Sequence, residues 1–119
     1  MKAKHTRCDF TVPLYDVSVY VYISNDMSNN VSAINNDFGL NSTNVNSQGK
    51  SIQFSNNKET KFAMLFKDDD NLDKVITHES LHISWYICEY VGIGLTPNNH
   101  EAQAYILEYI VDKVKSFLF

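Results

Sequence analysis

Three residues in one short stretch have the types and spacing for hydrolytic chemistry: His78, Glu79 and His82, within Ile76-Thr77-His78-Glu79-Ser80-Leu81-His82-Ile83-Ser84-Trp85. Two histidines four apart on a helix share a face, about one turn from each other. Imidazoles at that separation bind one metal ion, most often zinc, and the pattern is H-E-x-x-H. Glu79 follows the first histidine, where a carboxylate can take a proton from metal-activated water. A catalytic zinc takes a third protein ligand and keeps a position for water. Glu89 is excluded, because seven residues past His82 is roughly 10 Å of axial rise on a straight helix. Residues 83–100 lie between His82 and Glu101, enough for a helix to end, turn and come back antiparallel. Glu101 is therefore the expected third ligand, and its neighbour His100 competes with it.

The elements that must position these groups read as follows. Leu72, Val75, Ile76, Ile83, Ile87 and Val91 form an apolar stripe that predicts a helix over residues 72–91. Asp68-Asp69-Asp70-Asn71 ahead of it is read as a helix start rather than a calcium site, since acidic residues favour a helix N-terminus. Gly92 and Gly94 stop the helix. A last helix over about 99–117 follows, with Asn99 as cap and Ala104, Leu107, Ile110, Val111, Val114, Phe117 and Leu118 at helical spacing.

Upstream, residues 10–24 read as one strand starting near Pro13, with Val17, Val19, Val21 and Ile23 alternating with Ser18, Tyr20, Tyr22 and Ser24. Asp26 or Ser28 caps a short helix reaching about Asn36, ended by Asp37-Phe38-Gly39, and the rest of 25–49 reads as loop. Strands over 51–55 and 61–67 follow, joined by a turn at Asn56-Asn57-Lys58. Asp37-Phe38-Gly39 has no other kinase signature around it. Gly49-Lys50-Ser51 looks like the tail of a phosphate loop, but Asn44 stands where that loop needs its first glycine.

The 119 residues fit one domain, residues 1–119, and 44% hydrophobic residues supply a core. A net charge of −4 argues against nucleic acid as partner. No apolar run is long enough for a membrane span, and no signal peptide follows the basic start. Cys8 and Cys88 are expected as free thiols of a reducing compartment, and Asn30 and Asn41, both in glycosylation patterns, are discounted as acceptors. His5 and Cys8 are spaced like metal ligands but lack partners. Trp85, Tyr86, Tyr90 and Cys88 are expected to serve packing.

With His78-Glu79-x-x-His82 followed by Glu101, residues 70–115 resemble the gluzincin branch of the zincin metallopeptidases. The resemblance implies zinc on His78, His82 and Glu101, with Glu79 as general base and proton shuttle on a peptide or protein substrate. It implies an α+β fold, a small antiparallel or mixed sheet packed on an active-site helix and an antiparallel C-terminal helix. Tyr105 stands where that branch often carries an Asp, so second-sphere support falls to Tyr105, Glu108 or a carbonyl. No large downstream domain follows, which leaves His100, Tyr105 or Tyr86 as oxyanion candidates. His100-Glu101-Ala102-Gln103-Ala104-Tyr105 also resembles small H-E-x-x-H proteins encoded by tailed bacteriophages. The expected function is a small zinc-dependent hydrolase with strand 61–67 as substrate edge, in cytoplasm or virion. A non-catalytic zinc-stabilised binding or virion-associated protein is the alternative, and a host-defence antagonist the third reading.

Overall fold

A computed structural model describes residues 7–43 and 47–119; His5 lies outside them. The alternating strand read within 10–24 is present at Val17–Ser24, and an unforeseen strand before it makes a hairpin of two. Strand β1, Arg7–Val12, runs antiparallel to β2, Val17–Ser24, with Val12 opposite Val17. Pro13 sits in the connecting turn, not in a strand. Leu14 and Asp16 in that turn have φ of 72° and 52°, a left-handed conformation few non-glycine residues take. With no glycine or Asn-Gly pair to mark it, the turn is silent in the sequence.

Helix α1, Met27–Phe38, starts where a capping residue was expected. Asp26 accepts from Ser28 N at 3.0 Å, and Gly39 ends the helix at φ 65°. Strands β3, Gly49–Asn56, and β4, Glu59–Lys67, form a second hairpin on a two-residue turn. Asn57 and Lys58 both have positive φ there, as a turn matching the strand twist requires. The carboxamide of buried Asn30 donates to Phe66 O at 2.8 Å, so this side chain is an internal tie to β4 rather than a glycan acceptor.

The fold is α+β, with one mixed sheet in the order β1-β2-β4-β3. β2 and β4 run parallel at its centre, and both outer pairs are antiparallel. Strand alternation sorts the core into two layers. Val19, Val21, Ile23, Phe62, Met64 and Phe66 face helices α2, Leu72–Val91, and α3, His100–Leu118. Tyr22, Ala63 and Leu65 face α1 through Met27, Val31 and Ile34. The strand expected as a substrate edge, 61–67, is interior: β4 is bonded to β2 on one side and β3 on the other. The open edge beside α2 belongs to β3.

α2 has the expected bounds. Asp69 starts it, accepting from Asn71 N at 2.9 Å through its side chain and from Leu72 N at 3.2 Å through its carbonyl. At the far end Gly92 has φ 81°, and Ile93 N donates to Cys88 O at 2.8 Å, which satisfies a terminal carbonyl. Asn99 holds the N-cap position of α3, but its Oδ1 accepts from Thr96 N and Thr96 Oγ1 and not from the helix. Cys8 and Cys88 are free.

Candidate metal centre

The face of α2 that packs on the sheet and α3 is fixed by Leu72, Ile76, Ser80, Ile83, Ser84, Ile87 and Cys88, all buried. That rotation turns His78 and His82 outward, and it places Glu79 on the flank next to β3. The Nε2 atoms of His78 and His82 are 3.2 Å apart. Two nitrogens each about 2.05 Å from one tetrahedral zinc lie roughly 3.3 Å apart. The pair thus already has the spacing of two ligands on one ion. Without metal, the same spacing suits an N–H···N hydrogen bond between complementary tautomers. Tyr86, one turn beyond His82, lays its ring against the imidazole, with centroids 6.4 Å apart and planes 24° from parallel.

Glu79 is only 8% exposed. A nearly buried carboxylate is costly unless it is hydrogen-bonded. Here the donor comes from β3. Ser51 Oγ lies 2.7 Å from Glu79 Oε1, and 3.1 Å from the carbonyl oxygen of the same residue. The other carboxylate oxygen, Oε2, is 3.8 Å from His78 Nε2. Gly49, two residues earlier on the same face of β3, lets the strand come close. A Cβ there would sit 2.4 Å from Val75 Cγ1 and 2.9 Å from Glu79 Cγ. Gly49 and Ser51 together form the seat of Glu79.

A cleft of about 410 Å³ opens beside this seat, between the start of β3 and the first turns of α2. Ser47, Gln48, Gly49, Lys74 and Val75 line it together with His78 and Glu79. Its β3 side reaches the start of that strand's open edge, at Gly49. Lys67 N donates to Gln48 O at 3.0 Å, so residues 48, 50, 52 and 54 point their backbone groups at β4. Gly49, Ser51 and Gln53 point theirs away from β4, toward the unpaired edge.

Glu101 stands apart from the histidines. Lys115 Nζ lies 3.0 Å from Asp73 Oδ1, and Gln103 Nε2 lies 3.4 Å from Ser84 Oγ, which fixes the antiparallel register of α2 and α3. On that register Tyr105 is level with His82, and Glu101 is level with Tyr86, about one turn or ~6 Å further along. The helical phase matters as much. Ile106, Ile110, Val114 and Leu118 are buried, which turns Glu101, Tyr105, Glu108 and Asp112 to solvent. The Glu101 side chain is 92% exposed, with His100 Nδ1 3.9 Å away. Among the described residues, no three His, Cys, Asp or Glu side chains converge as a metal-holding group. His78 and His82 are neighbours on α2 with Glu79 beside His78, and Ser51 and Gly49, two residues sequence reasoning missed, lie against Glu79. Their only local signal was a Gly-x-Ser alternation on a strand, read there as an incomplete phosphate loop.

Among the described residues no helix is long and apolar enough to cross a membrane. No family model matches the chain, and neither does any curated protein or solved structure.

Proposed function

We propose that the chain is a zinc-dependent hydrolase acting on peptide bonds, with His78 and His82 as zinc ligands and Glu79 as general base. The observation that carries the reading is the 3.2 Å Nε2 separation beside a carboxylate held in a cleft. Bound zinc supplies Lewis acidity, polarising a carbonyl and acidifying a coordinated water toward a pKa of about 7.

The chain's own groups do the rest. Ser51 engages Glu79 Oε1, so Oε2 is the oxygen left to accept a proton from water and return it to the leaving amine. An extended substrate adds to the open edge of β3, pairing with the outward groups of Gly49, Ser51 and Gln53. That edge passes directly below Glu79. Glu101 completes the ligand set only if the first turn of α3 re-forms nearer His82. The support for such a change is local. The fully buried stripe of α3 begins at Ile106, and before it the hydrogen bond from Gln103 to Ser84 is long, at 3.4 Å.

The second reading, a zinc-stabilised binding protein without turnover, is favoured by one observation. The His78 side chain lines the cleft yet is 69% exposed, so a metal on it would stand open to solvent. Glu79→Gln separates the two. The hydrolase reading expects the variant to keep its zinc and lose turnover of a protein substrate such as casein by a factor of about 100 or more. Cleavage at the wild-type rate refutes Glu79 as base.

A further inference from the structure

The outward ridge of α2 carries two large apolar side chains between charged ends. It runs through Lys74, His78, Leu81, Trp85 and Glu89 at spacings of four, three, four and four. At 3.6 residues per turn these five fall within an arc of about 80°. Leu81 is 43% and Trp85 51% exposed, two large apolar side chains at the centre of the ridge. The only formal charges lie at its ends, Lys74 and Glu89, and neither makes an ion pair within the described residues.

This arrangement is self-complementary. If a second copy of α2 lies antiparallel across the first, with a two-fold axis between Leu81 and His82, Lys74 is level with the other copy's Glu89. Symmetry repeats that pair at the opposite end. His78 is then level with the other copy's Trp85, and the two Leu81 side chains flank the axis. Spacings of three and four are those of helices meeting along an apolar seam, and opposite charges at the ends fix direction and register.

We infer that the α2 ridge is a contact surface between two copies of this chain, which pair antiparallel and cover His78 and His82 in both. Self-association thereby closes the candidate metal site, and dissociation opens it. The regulatory consequence rests on the proposed zinc site; the contact surface itself does not.

The test is sedimentation equilibrium on the full chain without added metal, so a failed zinc reading cannot disguise the result. The wild type is expected to show a monomer–dimer equilibrium at concentrations up to roughly hundreds of micromolar. Glu89→Lys, an exposed change that leaves the fold intact, sets lysine against lysine at both ends and should weaken the dimer about tenfold. Adding Lys74→Glu should restore it. A wild type that stays monomeric overturns the proposal. So does a Glu89→Lys variant that dimerises like wild type, or a double variant that recovers nothing.

Discussion

Ser51 Oγ on β3 lies 2.7 Å from Glu79 Oε1 on α2, a hydrogen bond across 28 residues of sequence that fixes which carboxylate oxygen remains free. It ties the open strand edge to the helix bearing the histidines. A hydrogen bond to a charged group contributes about 1.5–3 kcal/mol. Ser51→Ala should therefore lower unfolding stability by ~1–2 kcal/mol in urea titration, the low figure reflecting partial exposure. Ser51→Thr keeps the hydroxyl and should recover most of the loss. Equal losses for Ala and Thr would mean that the hydroxyl is irrelevant.

Gly49 is tested by adding one carbon. The new Cβ meets Val75 Cγ1 at 2.4 Å and Glu79 Cγ at 2.9 Å, so strand and helix must separate. Overpacking of this kind costs about 1–3 kcal/mol. Gly49→Ala should melt at lower temperature than wild type and bind zinc with the Glu79 carboxylate displaced. Gly94, with open space around its Cα, is the control: Gly94→Ala should change little.

Glu101 offers a clean comparison with its neighbour. If the first turn of α3 re-forms on metal binding, Glu101→Ala weakens zinc affinity in calorimetry by more than the roughly 10–100-fold that losing an outer-shell partner costs. His100→Ala changes it less. Equal affinity for the Glu101 variant and wild type removes Glu101 from the ligand set and leaves the histidine pair as the whole protein contribution.

Cys8 gives a pH-dependent signature unrelated to metal. Burial, and then the charge of Asp9, push its thiol up to about 11 from 9.0. The thiolate is the nucleophile, so alkylation of Cys8 at pH 8 should run about a hundredfold slower than in the unfolded chain. The unfolded thiol ionises first, so this contribution is present below pH 9 and is lost as pH rises from 9 to 11. Urea midpoints at pH 8 and pH 10.5 in wild type and Cys8→Ala should diverge in that direction.

Much of the scaffold was legible in the sequence. The α2 stripe and the glycine after it gave bounds matching Leu72–Val91, and Asp26 and Gly39 marked both ends of α1. The β1–β2 hairpin was not legible, because its turn uses positive φ at Leu14 and Asp16 without a glycine. β4 was misjudged as an edge, because pairing order is a long-range property absent from any local pattern. At the site, the histidine pair followed from spacing alone. Ser51 could not, since its link to Glu79 depends on where β3 lands. The phase of α3 was misread: the stripe taken from Ala104 and Leu107 left out Ile106, whereas the buried line Ile106, Ile110, Val114 and Leu118 puts Glu101 on the polar side with Glu108 and Asp112.

Whether His78 and His82 hold one zinc ion is decided by elemental analysis. Purified protein is equilibrated with zinc, freed of excess by dialysis, and measured beside His82→Ala. The wild type is expected to hold about one zinc per chain and the variant almost none. Wild-type protein without stoichiometric zinc, or a His82→Ala variant that retains it in full, would contradict zinc binding by the pair.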